Sequence, residues 1–85
     1  MTVGLTNKKI VCEFLDRVKA GGKDISASSK RIAAACGVAS LGGLLKEMER
    51  DGLIGKYRMI TGTEYFAKDT WRVVLECMAE RLKVS

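Results

Sequence analysis

The sequence predicts a single α+β domain in which three helices and a two-stranded hairpin share one core, with a fourth helix added at the C-terminal end. Three observations carry that expectation. A chain of 85 residues is long enough to bury one core and too short to bury two. Between Ser28 and Gly52 two short helical patterns stand almost back to back. At Leu53 the apolar period drops from about 3.6 towards 2, which marks a helix handing over to strands.

The first helix is expected to start at Leu5-Thr6-Asn7-Lys8-Lys9-Ile10, with Thr6 capping the free amides and Leu5 and Ile10 placed as a hydrophobic staple. Ile10, Val11, Phe14, Leu15 and Val18 then recur at helical spacing, and Glu13 and Arg17 stand four apart on the wet side. Gly21-Gly22 ends this helix. Asp24-Ile25-Ser26 leaves room only for a turn or a very short strand. Ser28 can cap a second helix running through Ile32, Ala33 and Cys36, which Gly37 stops. A third begins at Ser40, with Leu41, Leu44, Leu45 and Met48 on one side, and Gly52 is placed to close it in a left-handed conformation.

From Leu53 to Ala67 the chain reads as a hairpin. Tyr57 and Met59 alternate with Lys56, Arg58 and Ile60, Gly62 lies in the turn, and Glu64-Tyr65-Phe66 returns. Asp69 or Thr70 can then cap a last helix whose apolar stripe is Trp71, Val74, Leu75, Met78 and Leu82. The expected division is residues 1–67 for the domain and 68–85 for the added helix.

Composition narrows the function. Fifteen Lys and Arg against ten Asp and Glu leave a net charge of +5, a moderate preference for polyanions. The three cysteines, Cys12, Cys36 and Cys77, are far apart and no histidine accompanies them, so neither a disulfide framework nor a zinc site of usual spacing is indicated. They read as buried thiols. Without histidine, and with Glu47, Glu49 and Asp51 crowded at one solvated helix end, no catalytic constellation appears, and the chain reads as a non-enzyme without a cofactor. No apolar run approaches the roughly 20 residues of a membrane span, and Met1-Thr2-Val3-Gly4-Leu5 lacks the features of a secretory signal. A cytoplasmic location is the expectation.

The segment Leu44-Leu45-Lys46-Glu47-Met48-Glu49-Arg50-Asp51-Gly52-Leu53-Ile54 resembles the "LxxLExxGLI" ending of the recognition helix in the winged helix-turn-helix superfamily. With the order of elements, the resemblance covers about residues 7 to 67. It implies a three-helix core with a two-stranded wing, and duplex DNA as partner, met by the third helix and the wing. Two departures stand out. The turn between Gly37-Val38 and the third helix is about two residues shorter than is usual in the family. Gly42 and Gly43 occupy the positions that commonly present polar or basic side chains to base edges, and glycine offers a base edge no hydrogen bond. The pair would let the backbone approach a groove floor, permit packing against another protein, or relieve crowding beside the second helix.

Candidate phosphate contacts are Lys30 and Arg31 in the first turn of the second helix, the hydroxyls of Ser28, Ser29 and Ser40, and Lys56 and Arg58 on one face of the hairpin. On the third helix Gly43, Lys46, Glu47 and Arg50 lie opposite the leucines. From residue 28 to 58 the six cations Lys30, Arg31, Lys46, Arg50, Lys56 and Arg58 outnumber the three acids Glu47, Glu49 and Asp51. Solvated charge on an exposed face is the plain alternative. On the last helix Val73, Cys77 and Val84 form a second apolar stripe, which either pairs two chains as a homodimer or packs under the first helix of the same chain. A dimeric transcription regulator is the leading expectation. A winged-helix module that contacts only protein, or one that binds structured RNA as a small-subunit ribosomal protein does, are the alternatives.

Overall fold

The structure, a computed structural model, describes residues 3–84, with side chains described over 5–82. Its elements are α1 (Val3–Ala20), β1 (Ala27–Ser28), α2 (Ser29–Cys36), α3 (Leu41–Arg50), β2 (Ile54–Met59), β3 (Gly62–Ala67) and α4 (Trp71–Val84). The architecture is α+β, four helices on a three-stranded antiparallel sheet of order β1-β3-β2. Among the described residues, no helix is long and apolar enough to cross a membrane.

α1 begins at Val3, so Thr6 lies inside the helix and is not its cap, and Leu5 and Ile10 do not flank a helix start. The chain ahead of Thr6 is itself helical, which moves the boundary amides upstream. The stripe entering the core runs through Lys8, Val11, Cys12, Leu15 and Val18. Ile10 stands off that stripe and is exposed, against expectation, because a 100° step per residue carries it round to the solvent side. Glu13 pairs with Lys9 at 3.7 Å, one turn towards the N-terminus, and not with Arg17.

The short strand forms at Ala27–Ser28, directly after Asp24-Ile25-Ser26, because β3 supplies its partners there: Ala27 faces Tyr65 and Ser28 faces Glu64. Ser28 then caps α2, its hydroxyl accepting from the Arg31 amide at 3.3 Å, and Gly37 closes the helix at φ +62°. The tight connection to α3 is made by two left-handed residues, Gly37 and Ser40, the latter at φ +55°. A left-handed residue reverses the chain in little length, which accounts for a turn so short. Gly52, at φ +84°, follows α3 and lets the Leu53 amide donate back to the Met48 carbonyl at 3.0 Å.

The hairpin register runs from Ile54 opposite Ala67 to Met59 opposite Gly62, joined by Ile60-Thr61. Gly62 is thus the first residue of β3 and lies just past the turn; its φ of +135° absorbs the backbone reversal, which an L side chain would resist. Opposed residues share a face, so Ile54, Lys56 and Arg58 lie with Ala27, Tyr65 and Ala67 on the helix side. Gly55, Tyr57, Glu64 and Phe66 take the other. There a Cβ on Gly55 would fall 2.3 Å from the Phe66 ring, so only glycine admits that ring.

The core joins Val11, Cys12 and Leu15 of α1, Ile32 of α2, Leu41, Leu45 and Met48 of α3, then Leu53, Ile54 and Ala27. α4 enters it through Trp71, whose indole N–H donates to Asp16 at 2.9 Å while the Arg72 guanidinium lies 4.4 Å over the ring and 3.1 Å from Asp16. The Thr70 carbonyl accepts the first helical bond, from Val74, whereas Asp69 is held by Lys19 at 3.3 Å. Beyond Trp71 the stripe thins outward, with Val74, Leu75 and Met78 half-buried and Leu82 exposed. The first turn of α4 meets the core, and its later turns extend past it.

Candidate nucleic-acid interface

α3 has three working sides. Leu41, Leu45 and Met48 point into the core. One flank faces α1, where Lys8 is buried to 5% exposure and binds Glu47 at 3.0 Å and Asp51 at 3.3 Å. The other faces β2, where Glu49 takes Lys56 at 3.2 Å. The helix repeat leaves Gly42, Gly43, Lys46 and Arg50 facing outward, all exposed. Glu47 is exposed on this outward face, as expected, and its carboxylate reaches over to the α1 flank, where a buried ammonium without a counter-charge would be costly. All three acids around the end of α3 are therefore occupied by lysines.

The hairpin extends the same surface. Lys56 and Arg58 continue the sheet's helix-side face beyond the core, and the Lys56–Glu49 contact sets them beside α3. The hairpin is tied near its middle by Ser26, buried at 5%, whose hydroxyl meets the Tyr57 hydroxyl at 2.5 Å and donates to Glu64 at 3.1 Å. α2 starts where β1 ends. Since β1 and β2 flank β3, its first turn lies about two strand spacings, roughly 10 Å, from β2. Lys30, Ser29 and Arg31 are exposed there, with Arg31 held by Asp24 at 3.1 Å, while the Ser28 oxygen is engaged as the cap.

Lys30, Lys46, Arg50 and Arg58 make no ion pair among the described residues, whereas Lys56 and Arg31 each do. The six candidate cations thus divide into four free and two held. Ser40 is exposed at the α3 boundary and makes no side-chain cap. A Cβ added at Gly42 or Gly43 would meet nothing within 4 Å, and neither has a positive φ, so crowding beside α2 is not the reason for these glycines.

The cysteines differ. Burial, aided by the nearby Asp16 carboxylate, pushes the Cys12 thiol up to about 12, and burial raises that of half-buried Cys36. Cys77 is exposed, which corrects the expectation of three buried thiols, because α4 turns that stripe to solvent. Val73 is likewise 62% exposed, so the stripe does not pack under α1. The side chain of Val84 lies outside the described residues.

Lys8, Ser26 and Gly55 shape this surface and carry no functional motif. Lys8 alone left a sequence signal, three residues before Val11 on the buried stripe of α1. Comparison with protein-family models, with curated proteins and with solved structures finds no match to this chain.

Proposed function

We propose that this domain is a winged helix-turn-helix unit that binds duplex DNA through α3, the hairpin as its wing and the first turn of α2, as a small dimeric transcription regulator. One observation carries the reading: Lys8 and Lys56 occupy the acids around α3, while Lys46, Arg50, Arg58 and Lys30 stay exposed and unpaired among the described residues. Four cations that form no ion pairs of their own, arrayed on two helices and a hairpin, suit a sugar-phosphate track, whose contacts fix position without reading sequence. Gly43 and the hydroxyls of Ser29 and Ser40 border that track.

The test is a titration of a random-sequence 20-bp duplex at several salt concentrations. About four neutralised phosphates give a slope of log affinity on log salt near −4, and Lys46→Glu/Arg50→Glu removes most of the binding. A flat line, or binding indifferent to the charge reversal, makes a protein partner the better reading. The same titration with structured RNA separates the third.

The homodimer belongs to this proposal. Val73 and Cys77 leave an apolar stripe on α4 facing solvent, and two domains on adjacent half-sites multiply modest affinities. Sedimentation at micromolar concentration is expected to show a dimer that Val73→Lys/Cys77→Lys dissociates. A monomer throughout would refute it.

A further inference from the structure

The acids near the proposed interface are of two kinds. Glu47 and Asp51 are bound to Lys8, whose side chain is 6% exposed, where no external phosphate reaches. Glu49 and Asp24 instead bind two of the candidate cations themselves, Lys56 and Arg31, with all four side chains between 36% and 56% exposed.

We propose that Glu49 and Asp24 are internal phosphate mimics that set how many phosphates the interface engages, withholding Lys56 and Arg31 so that a bound duplex meets four cations and not six. The inference rests on the duplex-binding reading above. Each carboxylate oxygen sits where a phosphate oxygen would, 3.2 Å from the Lys56 ammonium and 3.1 Å from the Arg31 guanidinium. A phosphate that displaced Glu49 would gain one charge-assisted contact and lie beside the carboxylate it had freed. Glu49 stays nearby even when displaced, because its backbone is part of α3, next to Arg50. Like charges a few ångströms apart repel, so the exchange gains less than contact with an unpaired lysine would. Asp24, seven residues before Arg31 in the segment just ahead of β1, holds Arg31 by an exposed ion pair of similar length, 3.1 Å. The two acids thereby weaken the interface for polyanions in general and confine it to the track traced by Lys30, Lys46, Arg50 and Arg58.

The salt slope counts neutralised phosphates, so it reads the proposal directly. The experiment measures the slope for a random-sequence 20-bp duplex with the full chain and with E49Q, D24N, the double variant, K56Q, E49Q/K56Q and D69N. Asp69 supplies the control, being the acid of an exposed ion pair with Lys19 outside the interface. The wild type is expected near −4, E49Q and D24N each steeper by about 0.9, and the double variant by about twice that. D69N and K56Q keep the wild-type slope, and E49Q/K56Q returns to it. Wild-type slopes for E49Q and D24N, or a shallower slope for K56Q alone, overturn the proposal and leave duplex binding standing. A flat wild-type line overturns both.

Discussion

Replacing Gly42 and Gly43 by alanine separates what the fold requires from what a partner requires. Both glycines lie in the first turn of α3, exposed, without positive φ, and a Cβ at either meets nothing within 4 Å. Alanine therefore introduces no clash and restricts the unfolded chain, which stabilises a helix by at least about 0.5 kcal/mol per site. For a domain of this size the pair, near 1 kcal/mol, raises Tm by roughly 4–8 °C. If the glycines let the α3 backbone approach a groove floor, the two methyl groups hold the duplex away, and affinity falls by about tenfold, near 1.4 kcal/mol. Thermal melting followed by circular dichroism and duplex titration at fixed salt give the two readouts. A lower Tm refutes the open-space reasoning, and a higher Tm with unchanged affinity refutes close approach to the groove.

Two further predictions concern stability. The Cys12 thiol is raised from 9.0 to about 12 in the fold, so the stability gained by keeping it neutral is complete below about pH 9 and is lost as pH rises from there towards 12. Denaturant melts from pH 8 to 11 should show Cys12→Ala losing less stability than the wild type, by about 1.4 kcal/mol per pH unit above 9, and parallel curves would contradict this. Gly55→Ala must displace the Phe66 ring and is expected to cost about 1–3 kcal/mol, seen as a lower denaturation midpoint. Restoring stability by adding Phe66→Leu checks the cause, since a smaller side chain leaves room for the methyl group.

The hairpin and the turn into α3 show how legibility in the sequence depended on range. The period change at Leu53 announced the strands, but the register that sets the Phe66 ring against Gly55 needed β3 to be in place. Gly37 was legible as a stop, whereas the left-handed Ser40 that completes the short turn carried no sign of its own. The candidate cations were legible as a set of six. Their division into free and held was not, because it depends on Glu49 meeting a residue of β2 and Asp24 one of α2.

By itself the sequence determined the α+β class, the order of elements and the stops at Gly37 and Gly52, since caps, turns and periodicity act between residues a few positions apart. Only the tertiary structure decided that Ile10 faces solvent, that Lys8 enters the core stripe, and that this lysine pairs with the carboxylates of Glu47 and Asp51. The physical reason is that a charge seeks its partner through space, and the α1–α3 contact that supplies it joins residues about 40 positions apart.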